Sequence, residues 1–398
     1  MSSLPLEGLA GRRFVPAAAL SRTLNLVAVI AGVLTLAGIF IAPERTWPNI
    51  LVATMTALGL ALGCQVFLAF RGVTSAGWST VFKRIPEAGI ATLPWIAPVV
   101  LLVLVGGMGV LFEWSHAAVM ASDSLLASKK AWLNVPFFLG RAVVVLGIWI
   151  AFALAMLRVS RGQDSEPGPV GNRRTAVLSA AFLFVFAITF SVASFDWVMS
   201  LEAHWFSTMF AVYHFTGAFL GALALITIVV IVFRRSGLFA GIVNDDHLQD
   251  LGKLMMGFSA FWAYIWFSQY MLIWYSNLPE EVGYYMHRHS GAWAVIAGLN
   301  VMINWVVPFL VLLPRASKRS EGLMLKAAGL LLVGRWLDFY LGINPVFQPD
   351  APLLGIWELA PVAFGVALFL IAFRRALGST QLLPTGDAYY EESLHHHQ

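Results

Sequence analysis

Two opposite charges stand inside a strongly apolar run near the C-terminal end of this sequence. Arg335 and Asp338 are three residues apart, a spacing that places both side chains on one face of a helix. Charged groups inside a membrane are costly, so they usually face a bundle interior or a wet cavity and pair with one another. The spacing therefore predicts an ion pair, which serves either as a structural bridge or as part of a proton relay or quinone pocket.

A denser polar cluster lies in the segment SFDWVMSLEAHWF, which contains Asp196, Glu202 and His204. Two carboxylates and an imidazole that converge at a membrane surface can exchange protons with the outside or hydrogen-bond a quinone head group. The alternative is a solvated turn in which Trp197 and Trp205 are interfacial aromatic anchors. The sequence leaves both interpretations open.

His214 is the one histidine placed near the middle of an apolar run. It is a candidate for proton transfer, and the alternative is a core histidine whose hydrogen bonds are satisfied. Haem b in a membrane bundle needs two facing imidazoles, so we expect no haem in this chain. The single cysteine, Cys64, rules out an intramolecular disulfide, a CxxCH haem attachment and a thiolate-held iron–sulfur cluster. We expect no metal site and no redox centre here.

Acidic residues also flank one later apolar run. Asp250 stands near its start and Glu280 just past its end, with Tyr264, Ser268 and Gln269 between them. Acidic groups at both mouths of one helix would suit two half-channels for protons. Spacing alone favours this hypothesis only weakly.

The composition indicates what must position these residues. Of the 398 residues, 59% are hydrophobic and 12% are charged, against roughly 45–50% and about 25% in an average soluble domain. Water is absent from the hydrocarbon core of a membrane, so spanning segments must satisfy their own backbone groups, and long apolar runs do so as helices. The sequence predicts an all-α polytopic membrane protein, a single integral membrane domain over 1–398.

About ten apolar runs have spanning length, and segments between and after them do not. The segment 72–93 is too polar to span and predicts an interfacial amphipathic helix lying along the membrane, while 377–398 predicts a flexible tail whose three histidines are more plausibly inert than metal-binding. The predicted spans are 22–42, 50–70, 94–112, 136–158, 174–197, 208–233, 252–277, 291–314, 322–342 and 352–374.

Basic residues test this topology, because they concentrate in cytoplasmic loops. Of 25 Lys and Arg, Arg141 and Arg335 fall inside spans, where Arg141 is close enough to the end to snorkel to the interface. Four more lie on one side, which leaves 25 − 2 − 4 = 19 on the other. Both termini are therefore expected in the cytoplasm. The four on the sparse side are Arg45, Lys129, Lys130 and Arg288.

A short motif recurs in the two halves of the chain. SFDWV ends the fifth span and WLDFY stands in the ninth, so an aromatic-flanked aspartate recurs four spans later. An offset of four spans preserves direction, and spans two to five (50–197) and six to nine (208–342) therefore fit parallel repeats. Each would be one four-helix bundle, with the first and last spans (22–42 and 352–374) peripheral.

Three motifs carry a resemblance to a known family: SFDWVMSLEAHWFSTMF, HLQDLGKLMMGFSAFWAYIWFSQYMLIWYSNLPEE and GRWLDFY. They resemble the F subunits of alternative complex III, bacterial quinol:cytochrome c oxidoreductases, which belong to the NrfD-like group of polysulfide-reductase membrane subunits. The resemblance covers most of 175–345. The N-terminal third is similar in topology more than in motif.

The resemblance implies a ten-helix subunit of two four-helix bundles in a bacterial inner membrane. Its partners would be a multihaem cytochrome c, an iron–sulfur protein and a second NrfD-like subunit, so haem c and iron–sulfur clusters would reside in partners, with quinol or quinone as ligand and no nucleic acid. The family's suggested proton-path acids correspond here to Asp196, Glu202, Asp250, Glu280 and Asp338.

Three functions remain open at this point. The first is a membrane subunit of a respiratory quinol:cytochrome c oxidoreductase that binds quinone or conducts protons, and the second is a catalytically silent scaffold in the same complex. The third is a stand-alone secondary transporter. Transporters usually break helices at corresponding positions of both halves, and the sequence shows no matched Gly or Pro breaks.

Overall fold

The fold was determined as a computed structural model that describes residues 13–166 and 168–397. Arg12, part of the predicted basic side, lies outside the described residues. The part of the chain that is described forms helices and turns with one isolated β-bridge and no β-strand. Ten long helices are numbered here in chain order: α1 Ala18–Ile41, α2 Pro43–Thr74, α3 Arg84–Gly106, α4 Val135–Ser165, α5 Pro169–Trp197, α6 Phe210–Arg235, α7 Asp245–Ser276, α8 Gly291–Leu312, α9 Glu321–Phe347 and α10 Ile356–Gly378.

Eight of the ten helices are long and apolar enough to cross a membrane by length and composition. The other two are less apolar: α9 carries the Arg335–Asp338 pair, and the uncharged stretch of α7 is rich in Trp, Tyr, Ser and Gln. Both have the length of a span, about 1.5 Å per residue over 32 and 27 residues. The chain is an all-α polytopic membrane protein, as predicted.

The helices pack as two groups of four. In the first, each of α2, α3, α4 and α5 contacts two others in a ring, and α6, α7, α8 and α9 form a second ring. The groups meet where α2 packs against α6 and α9, while α1 lies outside against α10 and α2. In the most apolar 18-residue stretch of each helix, 78% of α2 is buried, compared with 22% of α1. The architecture is two four-helix bundles with two peripheral helices.

Small residues permit the central contact between α2 and α6. A Cβ on Gly63 would lie 2.5 Å from the carbonyl oxygen of Ala218 and 2.6 Å from the Cβ of Ala222. Gly59, one turn earlier, faces the Cβ of Ala218. Small residues spaced by four let helix backbones approach closely, which replaces the hydrophobic driving force that lipid removes. The two bundles are therefore joined along a glycine and alanine seam.

Ion pairs connect helix ends and loops at the two opposite ends of the molecule. At what we call the basic end, the pairs join the start of α3 to α4 and to the C-terminal tail, and join α9 and its preceding turn to α6 and α7. At what we call the acidic end, they join the start of α2 to the start of α10, the start of α4 to the end of α5, and the loops that precede α4, α6 and α8. The basic-end pairs are Arg84–Asp164, Lys83–Asp387, Arg234–Glu321 and Arg319–Asp246; the acidic-end pairs are Arg45–Glu358, Arg141–Asp196, Arg288–Glu202 and His204–Asp123.

The segment 72–93 does not form the amphipathic surface helix that the sequence predicts. α2 continues to Thr74, a 3₁₀ turn spans Gly77–Phe82, and α3 begins at Arg84. Residues 73–75 are exposed, whereas nearly all side chains of 77–93 are buried. Its charges enter the bundle because they are paired: Arg84 lies 2.7 Å from Glu87, and Ser160 donates to Glu87 at 2.5 Å. Pairing and hydrogen bonding offset part of the desolvation cost that would otherwise keep these groups at a water interface.

The segment predicted as a flexible tail packs against the basic end. Leu382 and Leu383 are each 2% exposed, and the hydroxyl of Ser393 donates to the backbone oxygen of Trp78 at 2.5 Å. His396 lies 2.8 Å from Asp250 of α7. Polar composition alone predicts disorder here, whereas the folded basic end supplies partners for these side chains.

Asp387 ties this tail to the first bundle. Its carboxylate lies 2.6 Å from the Lys83 ammonium and 2.8 Å from the Arg71 guanidinium. Burial by itself raises the pKa of Asp387, but the two cations outweigh burial and lower that pKa to about 2. The ion pairs therefore form part of the tail's attachment at every pH near neutrality.

We expect Asp387→Asn to detach the tail, because it leaves two cations without their anion. The pKa in the folded state lies below the unfolded value of about 3.9, so the stabilisation is present above about pH 4 and is lost as the pH falls toward 2. About two pKa units correspond to roughly 2–3 kcal/mol. Hydrogen exchange at the Tyr390–Leu394 amides should rise at least tenfold at pH 7. The exposed Glu391→Gln is the control, and equal exchange in both variants would show that Asp387 does not hold the tail.

Candidate functional site

The predicted ion pair in α9 is confirmed and lies in the interior of the second bundle. Arg335 Nη2 is 2.8 Å from Asp338 Oδ2, and the two side chains are 2% and 0% exposed. The guanidinium also lies over the ring of Phe339, with 4.2 Å between its carbon and the ring centre. A buried pair of this kind requires further hydrogen bonds to offset desolvation.

Two other helices supply such hydrogen bonds to the carboxylate, whereas the Arg335 nitrogens have no hydrogen-bond partner among the described residues. Asp338 Oδ1 accepts from the Tyr213 hydroxyl of α6 and, at 2.9 Å, from the Asn300 amide of α8. Asp338 therefore joins α6, α8 and α9 through a single carboxylate. The sequence placed Tyr213 beside His214 without a role and gave no signal for Asn300, because helix-to-helix contacts are not encoded in spacing.

A local distortion of α8 extends the network towards α7. Residues Met302–Val306 form a π-helical segment, a feature that is frequent at functional sites. Within it, the Asn304 amide donates to Asn300 Oδ1 at 2.7 Å, and the Asn304 backbone oxygen accepts from the Ser259 hydroxyl at 2.6 Å. Since a widened turn leaves backbone groups unpaired, the side chains of α7 and α8 restore their partners. Tyr213, Asp338, Asn300, Asn304 and Ser259 form what we call the polar core.

Space for Arg335 depends on α6. A Cβ built on Gly217 would lie 1.5 Å from Arg335 Nη1, so only glycine fits at that position. The guanidinium therefore rests directly on the α6 backbone. This contact places the cation between α6 and α9, next to the seam with the first bundle.

His214 lies one residue from Tyr213 on the bundle-to-bundle side of α6. Its ring is 3% exposed and stacks on Phe339, with 5.0 Å between centroids. Neither ring nitrogen has a hydrogen-bond partner within the described part of the chain, so the interpretation as a satisfied core histidine is not what the structure shows. A cavity of about 30 Å³ adjoins it, large enough for one water molecule.

The acidic-end cluster is not one site. Asp196, buried at the end of α5, accepts from Arg141 at 2.6 and 3.0 Å and from the Trp132 indole at 2.9 Å. His204 instead pairs with Asp123 at 2.6 Å. The predicted convergence of Asp196, Glu202 and His204 is therefore wrong, since each faces its own partner. Arg141 pairs rather than snorkels.

Glu202 is the member of that cluster that approaches the polar core. It lies 2.7 Å from Arg288, whose guanidinium also donates to the backbone oxygen of Gly342, one turn beyond Asp338 in α9. Arg288 sits 3.5 Å above the ring of Tyr284. Burial raises the pKa of Tyr284 to about 12; Arg288 opposes this, while Glu202 and Asp338 add to it. Tyr284 therefore lies within electrostatic reach of both carboxylates.

The sequence analysis did not identify Arg288 or Tyr284 as site residues, although the distribution of basic residues contained a signal for Arg288. Arg288 is among the four basic residues on the sparse side of the predicted topology. Two of the others are also engaged, Arg45 with Glu358 at 2.7 Å and Lys129 with the backbone oxygen of Ala203 at 2.6 Å. A basic residue on the side of the membrane where basic residues are rare is therefore a good candidate for a specific ion pair or hydrogen bond.

The residues of α7 do not line a channel. Asp250 lies at the basic end, 3.1 Å from Lys253 and paired with His396, whereas Glu280 is exposed at the acidic end. Between them, Tyr264 is 64% exposed on the outer face of the helix. The Ser268 hydroxyl donates to the backbone oxygen of Tyr264 at 2.7 Å. Gln269, in contrast, is buried, 5% exposed. The structure therefore places the two acids at opposite ends of α7, with Tyr264 and Gln269 on different faces of the helix between them.

We expect Asp196→Asn to weaken the acidic end without affecting the polar core. Removing one partner of a buried ion pair costs about 3–5 kcal/mol, because Arg141 loses its anion. The measurement is the apparent unfolding temperature of the purified protein, with the exposed Asp350→Asn as control. An unchanged unfolding temperature would show that Arg141 and Asp196 do not stabilise this end.

Comparison with known protein families finds no match for the chain, and comparison with characterised proteins finds none with significant similarity.

Proposed function

We propose that this chain is a membrane subunit of a respiratory quinol:cytochrome c oxidoreductase of the alternative complex III type, in which the polar core transfers protons. The observation that carries the proposal is the buried Arg335–Asp338 pair with the Tyr213 hydroxyl on its carboxylate. That pair stands in GRWLDFY, one of the motifs that resemble the F subunits. Intramembrane ionisable groups are expensive and mark function by default.

Proton exchange is chemistry that these groups can perform. Asp338 and Tyr213 share a hydrogen bond across two helices, and the Arg335 guanidinium lies 2.8 Å from the same carboxylate. Tyr284 and Glu202 continue towards the acidic end, and the buried, unpartnered His214 stands beside the core. Asn300 and Asn304 orient the carboxylate and the Ser259 hydroxyl. The route is a half-path from the acidic end to the bundle centre.

The proposed orientation in the membrane follows from the distribution of Lys and Arg. Both bundle ends carry paired charges, but the Lys and Arg excess lies at the basic end, which we assign to the cytoplasm of a bacterial inner membrane with both termini there. Quinol would be oxidised in the assembled complex. Haem c and iron–sulfur clusters would belong to partner subunits, since this chain carries neither the CxxCH nor the cysteine set that they require.

Co-purification tests the assembly. We expect mass spectrometry of the detergent-purified native assembly to find multihaem cytochrome c, iron–sulfur and second NrfD-like subunits, and its optical spectrum to show haem c. A colourless lone chain would contradict the proposal and favour a transporter.

We expect Tyr213→Phe to lower quinol-oxidation turnover at least tenfold while the complex assembles normally. The substitution removes only the hydroxyl that Asp338 accepts from and keeps the ring. Tyr264→Phe, on the outer face of α7, is the matched control and should leave turnover within twofold. Equal turnover in the two variants would remove the polar core from the proton path.

A silent scaffold is the second candidate, and one observation favours it. Asp196 and Glu202 are each held by an arginine at 2.6–2.7 Å, an arrangement suited to holding helices together. The scaffold predicts that Tyr213→Phe changes neither turnover nor proton stoichiometry. The transporter is less favoured, because α8 is distorted at Met302–Val306 whereas its counterpart α4 is one continuous helix.

A further inference from the structure

A groove opens between α2, α3 and α10 on the side of the molecule away from the polar core. Its volume is about 400 Å³, within the range of ligand pockets. Its walls are apolar, with Ala57 of α2, Val99 of α3 and Gly365 of α10 among the lining residues. Nothing in the proposed function uses this groove.

Two arginines stand at the basic-end mouth of the groove. Arg161 of α4 and Arg375 of α10 both line it, and both side chains are exposed. Neither has a hydrogen bond or ion pair with another described residue, in contrast to neighbouring Arg84, which is held by Glu87 and Asp164. Two unpaired cations at one mouth make the site complementary to an anion.

The groove has the depth of one membrane leaflet. Along α10 its lining runs from Gly365 towards Arg375, 375 − 365 = 10 residues further on and therefore about 15 Å away at 1.5 Å per residue. Half of a hydrocarbon core of about 30 Å is roughly 15 Å, so the apolar wall spans a leaflet and the arginines lie at head-group level. Trp95, 69% exposed, also lines the groove.

We propose that this groove binds one anionic phospholipid, with its phosphate held by Arg161 and Arg375 and an acyl chain against α2 and α10. Basic pockets between transmembrane helices bind lipid head groups in this way. A second cavity of about 200 Å³ shares Ala57 and Gly365 but has no charged residue in its lining. A neutral ligand such as a quinone would have no need of the two cations, so the charged mouth favours the phospholipid.

The experiment uses the full chain in its native assembly, exchanged into vesicles of equal phosphatidylglycerol and phosphatidylcholine, re-extracted, and examined by native mass spectrometry for retained lipid. We expect the wild type to retain phosphatidylglycerol over phosphatidylcholine at least tenfold. Arg161→Gln/Arg375→Gln should abolish this preference. Arg158→Gln, one turn earlier on α4, exposed and outside the groove, should preserve it.

A second variant separates the head-group site from the groove. Ala372→Phe fills the apolar wall and leaves both arginines in place, so we expect it to lose the bound phospholipid as well. Equal retention of phosphatidylglycerol in all four proteins would overturn the proposal. Retention of phosphatidylcholine, or of a quinone that is insensitive to removal of the arginines, would also overturn it. Because both arginines are exposed and unpaired, their removal should leave the unfolding temperature unchanged.

Discussion

Asp338→Asn is expected to destabilise the protein by about 3–5 kcal/mol, because it leaves Arg335 as an uncompensated charge in the bundle interior. The carboxylate is fully buried and also accepts from Tyr213 and Asn300, so three helices lose a shared partner. The free energy of unfolding can be measured by reversible SDS titration in mixed micelles. Glu280→Gln, an exposed acid at the acidic end, is the control and should lie within about 0.5 kcal/mol of the wild type.

A double variant distinguishes loss of the ion pair from loss of packing. Arg335→Met/Asp338→Asn removes both charges and keeps an apolar side chain, and buried pairs replaced in this way are often neutral or stabilising. We expect the double variant to recover at least half of the loss seen for Asp338→Asn alone. If the losses of the Asp338→Asn and Arg335→Met single variants simply add in the double variant, the charges do not interact and the pair has no special role.

Long apolar runs made the spans predictable. The run predicted over 208–233 is observed as Phe210–Arg235, and no information from elsewhere in the chain was needed because twenty apolar residues in hydrocarbon can only form a helix. The Arg335–Asp338 pair was predictable for a similar reason. Both partners lie on one helix, and a separation of three residues fixes their geometry.

Contacts between distant parts of the chain were not predictable. Lys83 and Asp387 are 304 residues apart, and the burial of both the 72–93 segment and the tail depends on that contact. Asp196 and Glu202 are close in sequence, but the 3₁₀ turn Met199–Glu202 separates them, so one faces Arg141 and the other Arg288. Local spacing predicts a shared surface without showing which partner each group meets.

The proposed four-helix repeat also shows that a local sequence pattern does not identify tertiary partners. The two aromatic-flanked aspartates recur four helices apart, yet Asp196 is the penultimate residue of α5, whereas Asp338 lies 347 − 338 = 9 residues before the end of α9. Asp196 has an arginine from a neighbouring helix, and Asp338 has one from its own. Similar motifs have therefore acquired different surroundings, one at the acidic end and one within the bundle.

Gly217→Ala is expected to be among the most damaging single-methyl additions in the chain. The new Cβ would lie 1.5 Å from Arg335 Nη1 and 3.5 Å from Asp338 Oδ2, and the guanidinium cannot move away without breaking its bond to that carboxylate. Overpacking costs typically 1–3 kcal/mol, and loss of the ion pair adds to it, so we expect a loss of about 3 kcal/mol or more by the same titration. Gly257→Ala, on an open face of α7 with no atom within 4 Å of the added Cβ, should be neutral or up to about 1 kcal/mol more stable, because alanine is the better helix former.

The Arg335→Met/Asp338→Asn background then shows whether the clash is with the guanidinium. A methionine is unbranched and flexible and can move away from a methyl group, so the cost of Gly217→Ala should fall below about 1 kcal/mol in that background. A cost that stays the same would place the clash with the α9 backbone instead. In that case Gly217 would set the spacing of α6 and α9, and the position of Arg335 would be a consequence of that spacing rather than the reason for the glycine.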